Sequence, residues 1–137
     1  MSPRNSTPGA VVGNGRPDEV VEMRMPASTG YLAVARLAVT GLISDADPDV
    51  EVVERLQLAL NEVLALLVEA SAEGAAIEVE LRRLGDGVSV HACTTQPLED
   101  WPQDPDPLTV RVLDATTRSW HLDPDGSAHL VVPVGSG

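Results

Sequence analysis

Apolar residues recur along this chain with two periods, and the switches between them mark its elements. Val21, Met23 and Met25 alternate with Val20, Glu22 and Arg24, which predicts a strand ending at Pro26, a residue that cannot donate to a ladder. Ser28 or Thr29 then offers a cap. Between Gly30 and Ser44, Leu32, Ala35, Val39 and Leu42 fall at helical spacing, with Arg36 interrupting. Asp45-Ala46-Asp47-Pro48 reads as a stop followed by a start, with Asp47 as N-cap and Pro48 at the first helical position. The second helix runs to about Ala72 and stops near Gly74.

Ile77, Val79 and Leu81 alternate with Glu78, Glu80 and Arg82. Asp86-Gly87 supplies a hairpin turn, and Val88, Val90 and Ala92 continue on the returning strand. A long loop dense in Pro and Asp follows from Thr94 to Asp106. Pro107 opens a short helix with Leu108, Val112 and Ala115 on one side. Trp120 and Leu122 mark a strand, Asp123-Pro124-Asp125-Gly126 a turn, and His129 to Val134 a last strand. That order predicts an α/β (α+β) two-layer sandwich: a mixed, largely antiparallel sheet with helices on one face. Residues 1–17, rich in Pro, Gly, Ser and Asn, read as a disordered arm before one domain over 18–134, with 135–137 as a tail.

The second helix carries the least ordinary pattern. From Arg55 to Ala70 it is apolar on nearly every side and is interrupted at its middle by Asn61-Glu62. A helix apolar all round is covered on all sides, so it belongs at the centre of the domain or partly in a subunit interface. A carboxylate ringed by Leu58, Ala59, Leu66 and Leu67 must then be paired, protonated, turned to a cleft, or set at the margin where it reaches water.

Composition narrows the chemistry. With 137 residues and 43% hydrophobic content the chain builds one real core, but Phe is absent and only two Trp and one Tyr are present. The core is therefore aliphatic, and stacking on bases is not an available binding mode. A net charge of -12 repels phosphate backbones and anionic lipid, which argues against nucleic acid and membrane surfaces and for a protein partner with a basic patch. All nine cations are Arg, which removes the phosphate-loop lysine and Schiff-base chemistry. No apolar leader precedes the domain and no segment reaches membrane-span length, so the expected compartment is the cytoplasm.

The remaining chemistry-bearing residues are few. Cys93, in an apolar run, reads as a buried small hydrophobe. His91, His121 and His129 fall on separate strands with no carboxylate or thiol at ligand spacing, so no metal site is expected. Thr94-Thr95 and Thr116-Thr117 are phosphoacceptor candidates but equally ordinary strand-end residues. Trp101 reads as a lid over the core in preference to an exposed contact residue.

The order of elements, with EMRMPASTGYLAVARLAVTGLI followed by ERLQLALNEVLALLVEAS, resembles the RsbW-type anti-sigma factors, serine-protein kinases of the GHKL (histidine-kinase-like ATPase) superfamily. The likeness covers roughly Val20 to Val134 and implies the Bergerat-type ATPase fold. In that family a Glu on the second helix serves as base, and an Asn four residues later holds the magnesium of ATP. Glu62 matches the Glu, but the Asn position is Leu66. The family's Asp-x-Gly-x-Gly adenine motif is replaced by Thr94-Thr95-Gln96, and its glycine-rich lid by a loop without Gly that carries Glu99, Asp100, Asp104 and Asp106. Four carboxylates beside a triphosphate oppose binding.

By that resemblance Glu62 is a vestigial base, no residue binds a cofactor or metal, and Leu66 fills the former cavity. The first helix, with Tyr31, Arg36 and Thr40, is the expected partner-binding surface. The implied function is an anti-sigma-like regulator of transcription that sequesters a sigma factor, or binds its anti-anti-sigma antagonist, as a homodimer and without ATP or kinase activity. An ATP- and magnesium-dependent serine-protein kinase using Glu62 is the enzyme alternative. An acidic interaction module unrelated to sigma factors is the other.

Overall fold

In a computed structural model, residues 19–96, 98, 101 and 104–134 are described. The arm expected over 1–17, the tail over 135–137, and Glu99 and Asp100 of the acidic loop lie outside the described residues.

Among the described residues, five strands and three α-helices form in the expected order. Strand β1 (Val20–Pro26) is followed by a 3-10 turn (Thr29–Tyr31) and helix α1 (Leu32–Ile43). A second 3-10 turn (Ser44–Ala46) leads to helix α2 (Val50–Ala70). Strands β2 (Ala76–Arg83) and β3 (Gly87–Thr94) make a hairpin, and α3 (Pro107–Thr116), β4 (Ser119–Leu122) and β5 (Ser127–Pro133) complete the fold. The sheet order is β1-β2-β3-β5-β4. The result is the α+β two-layer sandwich that the hydrophobic pattern predicts.

Every strand pairing in this sheet is antiparallel, which corrects the expectation of a mixed one. The connections explain why. Helices α1 and α2 run antiparallel to each other, as shown by the pairing of Arg36 with Asn61 and of Thr40 with Gln57, so β2 starts at the end where β1 finished. The single crossover helix α3 makes β4 run in the direction of β3, but β5 lies between them and opposes both.

One face of the sheet packs under the helices. Met25, Ile77, Val79, Leu81, Val88, Val90, Ala92, Ala128, Leu130 and Val132 are buried there against Leu56, Leu60, Val63, Leu64 and Leu67 of α2. The core is aliphatic as composition requires, and Trp101 is the one aromatic side chain among its described members. Alternation in β2 is complete: Ile77, Val79, Leu81 and Arg83 point inward while Glu78 and Arg82 stay exposed. Arg83 is the inward-facing exception to apolar character. It closes the C-terminal end of α1, where Nη1 donates to the Leu42 carbonyl at 3.2 Å and lies 3.6 Å from an Asp45 carboxylate oxygen. A cation is favourable there because the last helical carbonyls are unpaired.

Two local expectations shift. Asp47 is not the N-cap of α2: it adopts a left-handed conformation, φ 51°, that ends the second 3-10 turn, and Asp49 takes the cap position. Asp tolerates that conformation better than most residues, which leaves Pro48 in the connection instead of the first turn. In α3 the buried residues are Thr109, Leu113 and Thr116, one position on from the expected Leu108, Val112 and Ala115, and Leu108 is 66% exposed. The threonine hydroxyls are satisfied locally, Thr116 on the Val112 carbonyl at 2.7 Å and Thr109 on α2, so these small β-branched side chains bury readily.

No helix among the described residues is long and apolar enough to cross a membrane.

Candidate functional site

The central helix places Glu62 half-buried, beside α3. Its carboxylate oxygen Oε2 accepts a hydrogen bond from Thr109 Oγ1 at 2.9 Å. Glu62 thus sits at the margin of the buried face and is paired as well, with a hydroxyl that α3 brings from 47 residues away. Thr109 reaches it because Asp106 caps α3, its Oδ1 accepting from the Leu108 and Thr109 amides at 2.7 and 3.2 Å, with Pro107 at the first helical position. Asp106 is thus committed to the helix start, while Asp104 is exposed. One turn beyond Glu62, Leu66 packs partly buried against the core.

Among the described residues of the acidic loop, Trp101 is the one that is buried. It is 9% exposed, joins the core, and donates from its indole Nε1 to the Asp123 carbonyl at 2.7 Å. Leu98 packs beside it over the β4–β5 turn, where a Cβ on Gly126 would meet Leu98 Cδ1 at 3.0 Å. The loop is therefore tied at its middle to that turn, and a tryptophan covers the core there as expected.

Of the expected partner-binding residues, the structure brings Arg36 and Thr40 together and sets Tyr31 apart. Arg36 Nη1 donates to Asn61 Oδ1 at 2.9 Å, and Thr40 Oγ1 donates to the Arg36 carbonyl at 2.9 Å while accepting from Gln57 Nε2 at 2.8 Å. Both residues thereby join α1 to α2. Tyr31 lies on the outer flank, 43% exposed, and Val34 and Leu37 follow it at three-residue spacing with exposures of 52% and 74%. That exposed apolar strip was not singled out from the sequence, although the stretch YLAVARL contains it: a helix with apolar residues outside its buried stripe carries the signal.

The three histidines do not lie apart as their separate strands suggest. On the face of the sheet away from the helices, strand register places Glu22, Glu80, His91, His129 and His121 in one cross-strand row. The His91 and His129 rings stack at 4.2 Å, 12° from parallel. Asp123 serves two of the three: His121 Nε2 lies 2.7 Å from Oδ1 and His129 Nε2 3.2 Å from Oδ2. Desolvation raises the Asp123 carboxyl, but hydrogen bonds from Ser127 and His121 and the charges of His121 and His129 outweigh it and hold the group below its ordinary range. A carboxylate within reach of His121 and His129 corrects the expectation that none lay near them. Among the described residues no group of three or more His, Cys, Asp or Glu is arranged to hold a metal ion.

Next to that row, Cys93 is half-buried on β3. Burial, and then the charges of Glu78 and Asp125, push its thiol upward. It lines a shallow depression with Glu22, Arg24, Glu78, Glu80 and His91.

The class these features define is an α+β two-layer sandwich with an exposed apolar strip on its first helix and a hydroxyl-bound carboxylate on its central one. The chain matches no family model and no curated protein.

Proposed function

We propose that this chain is an anti-sigma-like regulator that acts by holding a protein partner, and that binding through the outer flank of α1 is its whole activity. The observation that carries this reading is the exposed apolar strip of Tyr31, at the entry to α1, and Val34 and Leu37 on it, a helix that Arg36 and Thr40 tie to α2. An exposed apolar patch on an otherwise acidic protein marks an interaction surface. Element order and the resemblance of the two helices to the RsbW-type family support a sigma factor or its antagonist as the partner, a homodimer as the working form, and the cytoplasm as the compartment. A sigma factor held on this surface is kept from core RNA polymerase, and an antagonist competing for the surface releases it.

Catalysis is not part of this reading. Glu62 already accepts a hydroxyl from its own chain, Leu66 stands at the family's metal-anchoring position, and Trp101 packs into the core from the loop that corresponds to the family's lid. The serine-protein kinase alternative keeps one point in its favour, that a carboxylate 2.9 Å from a hydroxyl is the geometry of a base.

Affinity purification of the tagged full chain from its native cells, beside a Leu37→Asp variant, tests the proposal. Recovery of a sigma factor or an antagonist by the parent and its loss from the variant is the expected result. Recovery of the same proteins by both overturns the assigned surface, and absence of any such partner overturns the function. Titration with ATP and magnesium by calorimetry is expected to give no heat of binding, and micromolar affinity reinstates the kinase.

A further inference from the structure

All three histidines of the chain, the residue type whose charge changes between about pH 5 and 8, lie in one row on the open face of the sheet, and two of them share one carboxylate. That carboxylate belongs to Asp123, the first residue of the β4–β5 turn. The same residue binds in other ways: its amide donates to the Ser127 carbonyl at 2.8 Å, its Oδ2 lies 3.2 Å from a Ser127 hydroxyl shared with the nearer Asp125, and its carbonyl accepts from the Gly126 amide at 3.0 Å and the Trp101 indole at 2.7 Å. The turn, the histidine pair and the loop before α3 therefore meet at Asp123.

We propose that His121 and His129 form a proton-responsive clamp on the Asp123–Gly126 turn, one that tightens as the imidazoles gain protons and thereby firms the seat of Trp101 and its loop. A neutral imidazole with its proton on Nε2 already donates to the carboxylate, and an imidazolium donates through a bond of roughly twice the strength. Asp123 is held below its ordinary range, so an ionised carboxylate is present to accept from both imidazoles.

Charged groups reach the pair from each neighbouring strand. Glu22 on β1 and Glu80 on β2 continue the row. Arg24 and Arg82 are drawn toward Glu78 and Glu80, at 3.6 and 3.9 Å. Asp125 is held by the Ser127 amide and hydroxyl, and Cys93 on β3 carries a thiol that stays protonated across this range. His91, stacked on His129 at 4.2 Å, would place like charge beside the pair if protonated.

The test uses the full chain with Trp120→Phe, which leaves Trp101 as the sole tryptophan. Acrylamide quenching of Trp101 is expected to fall about twofold from pH 8 to pH 5, and the dependence to vanish when His121→Gln and His129→Gln are added. Quenching that does not change with pH, or the same pH profile in the double Gln variant, overturns the clamp. Amide hydrogen exchange across residues 98–106 and 123–127, compared between the unsubstituted protein and the double Gln variant, gives the same decision without the Trp120 substitution.

Discussion

Thr109 and Glu62 meet across the interface between the short third helix and the central one, hydroxyl to carboxylate at 2.9 Å. Thr109 is 5% exposed, so its hydroxyl has little access to water as a substitute partner. Thr109→Val keeps the shape and removes the donor, and it should lower stability by about 1–2 kcal/mol. Glu62→Gln preserves an acceptor at the same length and should cost less than about 1 kcal/mol. Urea denaturation of Thr109→Val, Glu62→Ala and their double variant measures the coupling, which an additive result would refute.

Gly87 begins β3 so close to β5 that a Cβ there would stand 2.7 Å from the Val132 carbonyl oxygen. The obstructing atom is backbone within a paired ladder and cannot rotate away. Gly87→Ala should therefore destabilise the protein by about 1–3 kcal/mol. Gly85→Ala, two residues earlier and with nothing within 4 Å of its Cβ, should stay within about 0.5 kcal/mol of the parent. Thermal denaturation of the pair is the check.

Asp123 gives the acid limb of stability a definite sign. A carboxyl whose folded value lies below its ordinary 3.8 favours the fold while ionised. That contribution is complete above 3.8 and disappears as pH falls through the lower folded value. Denaturant midpoints measured from about pH 5 down to about pH 2 should therefore fall more steeply in the parent than in Asp123→Asn. Parallel curves would show that the carboxyl is not held down in the folded state.

Cys93 should be a slow thiol. Burial and the nearby negative charges of Glu78 and Asp125 raise it, so little thiolate is present at neutral pH. Alkylation at pH 8 should be slower than that of an unhindered cysteine, and Glu78→Gln should speed it. An unchanged rate in that variant would leave burial and Asp125 as the causes.

The parts of this fold legible in the sequence are those where one physical rule acts alone. Leu32, Ala35, Val39 and Leu42 mark the buried stripe of α1 because 3.6-residue spacing has no competitor there. The alternation of Ile77, Val79 and Leu81 fixes which face of β2 is inward, but the hairpin turn falls at Gly85-Asp86, one residue before the expected Asp86-Gly87, because Gly87 already pairs in β3. The phase of α3 was missed because Thr109 and Thr116 read as polar, whereas the Glu62 carboxylate and the Val112 carbonyl make them fit to bury. The Asp47 expectation failed because a 3-10 turn uses that residue before the helix can.

For the candidate site the sequence pointed to Glu62 and to Trp101, each a residue out of character with its surroundings. It did not show which hydroxyl or carbonyl each would meet, since both partners come from distant segments. Arg36 and Thr40 looked available because Asn61 and Gln57 are invisible as partners until the helices are known to run antiparallel. The histidine row needs three strand registers at once. One of them was within reach: three residues, Pro124 to Gly126, between a paired Asp123 and Ser127 set His121 opposite His129 and leave Asp123 beside both.

Strand order has a consequence for how the chain tolerates being cut. Because β5 lies between β3 and β4, the stretch after the acidic loop carries α3 and two strands that dock against the remainder through a complete ladder from Gly87↔Pro133 to Cys93↔Ser127. Cleavage in that loop would sever the backbone without removing any strand from the sheet. The pieces on either side form natural halves for reassembly from two separately made polypeptides, joined by the same interstrand bonds that hold the intact protein together.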